Sequence, residues 1–327
     1  MRANIQHTSD PTEPWTPALQ AEFIQGLQDS QDGDVKQASE GATAYTRRIL
    51  RESSFLPAIQ PVKPITAADL IPMIDPAGGE INEIGVYLCE MEPGSPGAVT
   101  VPTESAPTQN TYRGARYTVA ISKDQTEELY KTIDQLALYK MDLRQVVTDN
   151  SLKDLDNVAD FRWIQTVKDI TGSNTAADGL GGYRQYREVS GGITRTNYKH
   201  AFRPLMDATL NNGVFLMSRQ TANEFTGWGR DEVGGDKAQE ILLKGMNALE
   251  SFEINNTPHI ASIKALLLPF GEVYHFAPSN FLGQYLEYQA PTIFIKRERE
   301  TITTFAQRKY GVHIANVKAV ARTKFLS

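Results

Sequence analysis

Residues 122–171, SKDQTEELYKTIDQLALYKMDLRQVVTDNSLKDLDNVADFRWIQTVKDIT, decide the architecture. Ser122 stands three residues before Gln125, the spacing of a capping box, and Asp124, Glu127 and Glu128 put negative charge where a first helical turn leaves N–H groups free. Leu129, Ile133, Leu136, Tyr139 and Leu143 then recur at three- and four-residue steps, and no proline interrupts the run before Gly172. After a soft spot at Thr148–Ser151 the stripe resumes with Leu152, Leu155, Val158/Ala159, Arg162/Trp163, Val167 and Ile170. One helix over this span would be about 70 Å long; two would still give a first piece of about 25 residues, twice the usual length. The pattern predicts a rod beginning at Ser122.

Immediately before the rod, residues 81–121 change to a period of two. Val86, Leu88 and Glu90 alternate with Tyr87, Cys89 and Met91, and Tyr117, Val119 and Ile121 alternate again after a Pro/Gly/Ser/Thr stretch. This reads as a long β-hairpin with a polar tip, which buries little by itself and makes physical sense lying on a neighbouring subunit. Further back, residues 1–14 are polar. A short helix is expected from Thr16, and a second from Val35 to about Ser54 carries Arg47, Arg48 and Arg51; Pro57, Pro61 and Pro64 then hold the chain extended. These first sixty residues hold too little apolar surface to fold alone.

Beyond the rod, residues 178–192 are glycine-rich. No Gly-Lys-Ser/Thr follows and no apolar strand precedes them, so they read as a connection rather than a phosphate loop. Helical stretches are expected over residues 196–212, 218–228 and 237–251. Strands are expected at Val214–Met217, Ala265–Pro269, Val273–Phe276, Gln284–Tyr288, Thr292–Ile295, Thr301–Arg308 and Val312–Phe325.

Composition narrows the function. Hydrophobic residues make up 40% of the 327, enough for real cores, and no apolar run is long enough to span a membrane. The net charge of −6, from 33 basic and 39 acidic residues, argues against a dedicated nucleic-acid binder. Cys89 is the single cysteine, so neither an internal disulfide nor a thiolate cluster is available, and Glu90 and Glu92 beside it should raise its pKa and blunt it as a nucleophile. His7, His200, His259, His275 and His313 stand alone, without a metal-ligand spacing. Asp231/Glu232 and Glu298/Glu300 alternate with Arg230, Arg297 and Arg299 and read as salt-bridged surface rather than acid–base pairs. No nucleophile elbow, Rossmann fingerprint or kinase set is present. No catalytic, cofactor-binding or metal-ligating residue emerges, and no cofactor is implied.

The order of elements resembles the major capsid protein of tailed bacteriophages, the Hong Kong 97-like fold. Local stretches carry the likeness: residues 47–56 (RRILRESSFL) look like the arm helix of phage coat proteins, and residues 214–218 (VFLMS) with Ala222, Phe225 and Trp228 look like the axial-domain strand and helix. Residues 276–283 (FAPSNFLG) and 312–322 (VHIANVKAVAR) look like the family's late turn and last strand.

The resemblance implies an α+β subunit with an N-terminal arm (1–62), the start of a peripheral domain (63–83), an extended β-hairpin loop (84–121) and the peripheral domain with its spine helix (122–200). An axial domain (201–283) and closing strands, mainly peripheral (284–327), complete it. It further implies a non-enzymatic virion protein, assembled in the host cytoplasm, that forms hexamers and pentamers of itself around non-specifically held double-stranded DNA. Separate scaffolding, portal and cement proteins are its expected partners, and no membrane. The candidate intersubunit contacts are Arg47, Arg48, Arg51, Phe55, Arg113, Arg116, Trp228, Arg230, Arg297 and Arg299. Residues 84–122 hold no lysine, so the covalent locking that some members make from the extended loop has no donor there. A same-fold alternative is an encapsulin-type compartment shell; an alternative of another class is a soluble enzyme using the glycine-rich loop.

Overall fold

A computed structural model describes residues 52–73, 82–92, 114–132, 143–172, 179–228, 250–298 and 300–326. The element order is α1 (Leu56–Ile59), β1 (Val62–Pro64), β2 (Leu70–Met73), β3 (Asn82–Glu90), β4 (Arg116–Ala120), β5 (Ser122–Gln125), β6 (Leu129–Thr132), α2 (Leu143–Thr171), β7 (Tyr186–Ser190), α3 (Arg195–Tyr198), α4 (Arg203–Asp207), β8 (Val214–Ser218) and α5 (Arg219–Asn223). Then follow β9 (Glu250–Ile254), β10 (Thr257–Ser262), β11 (Glu272–Phe276), α6 (Ser279–Leu282), β12 (Gly283–Glu298), β13 (Thr301–Ile314) and β14 (Val320–Leu326).

The strands form three sheets. A mixed six-stranded sheet runs β7-β14-β11-β8-β10-β9, with β7/β14 and β8/β10 parallel. Its strands alternate so that each face is covered. Leu216, Ile260, Tyr274 and Phe276 face α2, while Phe215, Met217, Ala261 and Val273 face Tyr198, Phe225 and Trp228. A second sheet is built on the long antiparallel pair β12/β13, with β1 parallel to β12 and both β5 and β6 on the far side of β13. The third sheet is β2-β3-β4. α2 ties the first two together, burying Leu155, Ala159, Trp163, Val167 and Ile170, the stripe read in the sequence, and running unbroken through Thr148–Ser151. Its 29 residues make a rod of about 43 Å.

The rod starts later than expected. Residues 122–125 and 129–132 are strands, because pairing with β13 (Ser122 opposite Tyr310, Leu129 opposite Thr304) and burial of the Asp124 side chain outweigh the local capping signal. Asp124 does not cap a helix; it accepts from the Tyr310 hydroxyl at 2.8 Å and pairs with Arg162 at 2.5 Å. Residues 133–142 lie outside the described chain.

Further corrections are local. Residues 265–269 form a turn, closed by the Leu267 and Leu268 amides on the Lys264 carbonyl, instead of a strand. Pro57 opens the one-turn helix α1 rather than holding the chain extended, and residues 52–54 before it are not helical. Glu250 and Ser251 belong to β9, not to a helix; residues 229–249 are not described. The expected strands 284–288 and 292–295 are one strand, β12, with register irregularities between Glu287 and Thr292. The expected strand 312–325 is split by a turn that Asn316 caps through the Lys318 amide. β7 and β14 join the six-stranded sheet, which therefore crosses boundaries drawn at 200/201 and 283/284.

Candidate assembly interface

The chain leaves the undescribed residues 1–51, Arg47, Arg48 and Arg51 among them, through a buried polar junction. Ser54 donates its backbone N–H to Asp156 Oδ2 (3.1 Å) and its hydroxyl to Asp160 Oδ1 (2.6 Å). Lys264 Nζ reaches Asp160 Oδ2 (2.5 Å) and the Ser53 carbonyl (3.0 Å). The Glu52 carboxylate accepts from the Ser262 hydroxyl and from the Ile263 amide. Burial raises the Asp160 pKa, against the pull of Lys264 and Ser54. Phe55, expected at a subunit contact, is instead fully buried in this chain's own core, tilted against Trp163 at 6.3 Å, with the Lys264 ammonium 5.5 Å from its ring centroid. Its apolar ring is used to anchor the entry of the arm onto α2.

The base of the hairpin packs inward. Cys89, Val119 and Ile121 bury against Ile65 and Leu286 of the same chain, with Tyr87 and Tyr117 beside them. Tyr117 OH lies 3.0 Å from His313 Nε2. Burial raises the Cys89 pKa, so the thiol is blunted as the sequence suggested, though burial and not the neighbouring glutamates is the main cause. Arg116 pairs with Glu90, its cross-strand neighbour, at 2.8 Å on an exposed face, so its contact lies within the hairpin. Arg113 and the rest of the tip (residues 93–113) are outside the described residues.

Trp228 is also a core residue of its own chain. It is 9% exposed, donates its indole N–H to the Ile193 carbonyl at 2.8 Å and meets Phe225 edge-on at 4.7 Å. Arg230 and Arg299 are not described, and Arg297 is exposed near the far end of β12. That end carries a surface the sequence reading missed. Leu129 (49%), Tyr130 (74%) and Phe294 (37%) are exposed, with Phe294 stacked on Phe305 at 5.1 Å. Elsewhere on the surface, Val158 and Phe161 of α2 are also exposed. Leu129 falls on the helical stripe of the sequence, which hides its place on an outer strand.

The glycine-rich loop has a structural occupant. Gln185 fills it, accepting the Gly181 amide at 2.7 Å and donating to the Val317 and Val320 carbonyls at 2.7 Å each. A Cβ on Gly179 would lie 2.2 Å from the Gln185 amide oxygen, so the glycines make room for this side chain. Among the described residues no cluster of three His, Cys, Asp or Glu side chains could hold a metal ion, and no helix is long and apolar enough to cross a membrane.

A spine helix packed across a mixed sheet, the long two-stranded β12/β13 ribbon and the antiparallel β3/β4 pair together make the Hong Kong 97-like capsid fold. Solved structures with this fold overlay almost the whole chain. A chain of Mycobacterium phage Ogopogo matches with a TM-score of 0.58 at 13% identity, over 93% of this chain and 99% of its own. The cyanophage Pam1 capsid chain matches with a TM-score of 0.58 at 13% identity, over 91% and 98%. The capsid chain of an empty GTA particle matches with a TM-score of 0.54 at 13% identity, over 95% and 99%. No protein-family model and no curated protein sequence matches the chain.

Proposed function

We propose that this chain is the major capsid protein of a tailed-phage-type particle, assembling through hexamers and pentamers of itself into an icosahedral shell around double-stranded DNA. The observation that carries the reading is the near-complete overlap, in both directions, with capsid chains. In this reading α2 and the β12/β13 sheet form the peripheral domain, the six-stranded sheet forms the axial domain, and head-to-tail contacts close rings that tile the shell. Separate scaffolding, portal and cement proteins complete the assembly in the host cytoplasm. Negative-stain electron microscopy of the expressed chain, alone and with its scaffold, tests it. Ring-shaped capsomers or closed shells are expected; a small, discrete oligomer under every condition overturns the reading.

A further inference from the structure

The turn between β10 and β11 holds an apolar tip in water. The Leu267 and Leu268 amides both close on the Lys264 carbonyl at 3.0 Å, the Glu272 amide donates to the Pro269 carbonyl at 3.2 Å, and the Leu268 side chain is fully buried. At the base of the turn, Lys264 Nζ bonds the Ser53 carbonyl at 3.0 Å and the Ile263 amide donates to Glu52 at 3.2 Å. A turn so braced loses little freedom on contact. Yet Leu266 at its tip is 99% exposed, and Phe270 is 53% exposed. β14 brings Leu326, also exposed, to the same end of the six-stranded sheet, where the Phe325 amide donates to the Gly271 carbonyl at 2.8 Å. Apolar side chains scattered singly need no explanation; three gathered at one sheet end, one of them on a braced tip, mark a contact surface.

The opposite end of the same sheet carries a hollow of about 430 Å³. Phe202 and Met206 supply its apolar lining, and Lys199, Asn211, Asn255 and Asn256 its polar one. Asn255 and Asn256 sit there because they make the tight β9/β10 turn at φ 52° and 58°, a conformation asparagine tolerates. Asn212, also in the lining, donates its amide N–H to the Phe202 carbonyl at 3.1 Å and keeps a buried Oδ1 that accepts no hydrogen bond. Apolar surface with hydrogen-bonding groups around it is the anatomy of a protein–protein contact, and the volume holds one or two apolar side chains. β10 joins the two surfaces: Thr257 lines the hollow and Ser262 leads into the turn, so they stand about 20 Å apart and cannot meet within one chain.

We propose that the Leu266 tip of one copy, with Phe270 beside it, docks in the Phe202/Met206 hollow of the next copy of this chain, where Asn212 Oδ1 accepts from an amide of the incoming turn. The two halves of the contact are different surfaces at opposite ends of one sheet. Each docking therefore leaves a free tip and a free hollow, and the contact repeats until its rotation closes a ring. The choice of a second copy as occupant rests on the capsid reading, whose capsomer rings require a head-to-tail contact of this kind.

The test is a paired substitution in the full chain. Leu266→Lys sets an ammonium against the apolar lining and Lys199, and Met206→Glu puts a carboxylate into that lining. Each alone should weaken association of copies in sedimentation by about tenfold or more, with subunit melting as in the parent because both side chains are exposed. Combined in one chain, they should recover most of the association, since the new ammonium of one copy meets the new carboxylate of the next. Independently, Leu266→Cys/Asn256→Cys treated with a short bismaleimide should give a ladder of covalent oligomers that neither single variant gives, Cys89 being buried. The ladder decides if Leu266→Lys melts abnormally. Unchanged association in both single variants, no recovery in the pair, or shells that yield no ladder overturn the docking and leave the capsid reading standing. A ladder from copies that never form rings or shells upholds the docking and sinks the capsid reading. Capsomers that stay intact in Leu266→Lys but lose a co-expressed partner protein overturn the docking, assigning the tip to that partner. A parent that stays monomeric and gives no ladder overturns both.

Discussion

His275 is buried in the middle of β11 between the Phe215 ring, at 4.7 Å, and the neighbouring strands, and neither ring nitrogen makes a well-formed hydrogen bond. Burial lowers its pKa to about 3, with His259 and Arg187 adding to the shift. His259, held between the Thr257 carbonyl (2.7 Å) and the Tyr198 hydroxyl (2.6 Å), is lowered to about 4, again by burial. Both are neutral in the folded chain at pH 5.5, whereas an unfolded histidine titrates near 6.5. The unfolded state therefore binds the extra protons, and stability falls as pH drops below about 6.5, by about 1.4 kcal/mol per histidine at pH 5.5. Replacing His275 by Phe removes one of these protons and two buried nitrogens that lack a well-formed hydrogen bond. Urea unfolding at pH 7.5 and 5.5 should then show a difference about 1.4 kcal/mol smaller than in the parent. Equal differences would mean that His275 is protonated in the fold. The sequence placed this histidine in an apolar strand but gave no view of its partners, since those arrive from β8 and β10.

Elements with one dominant local signal were legible: the apolar stripe of α2, the alternation of β3 and β4, and the apolar run of β8. Those decided by a distant strand were not. Residues 122–132 have helical spacing and a capping pattern, and become β5 and β6 only because β13, some 180 residues later, offers its edge. The β9/β10 hairpin was missable for the opposite reason: its signal is two residues, Asn255-Asn256, between short strands. The interface candidates Phe55 and Trp228 come from a likeness to the family's arm helix and axial-domain helix, while burial assigns both to the core. The junction around Asp160 was invisible in sequence, since it joins residues 52–54, 156–160 and 262–264. It gives a sharp test. Asp160 is fully buried and Lys264 nearly so, so Lys264→Met alone leaves a buried carboxylate and should cost about 3–5 kcal/mol. Asp160→Leu/Lys264→Met replaces both charges by apolar groups and should recover most of that loss. A double variant as unstable as the sum of the singles would show that the pair is not coupled.

At the scale of the whole molecule, the long β12/β13 ribbon is hard to explain within one chain. Among the described residues β1 pairs with β12 at Tyr285–Glu287, and the outer strand β6 shows Leu129 and Tyr130 to solvent. A distal sheet that exposes three large apolar side chains gains little by folding alone, because stability comes from burying one face of a sheet. In an assembled shell that same surface would be covered by another copy. In the proposed shell each such contact would be weak singly and multiplied around the lattice, so modest losses at one interface would have large effects on assembly. Leu129→Ser and Tyr130→Ser combined should therefore change the melting of isolated subunits little, by about 0.5 kcal/mol or less per site, since exposed side chains lose little burial. Closed particles should be lost, with sedimentation showing free subunits or capsomers. Normal shells from this variant would place the contact between copies elsewhere, and a large drop in subunit melting would show that the ribbon's apolar face is already paid for within its own chain.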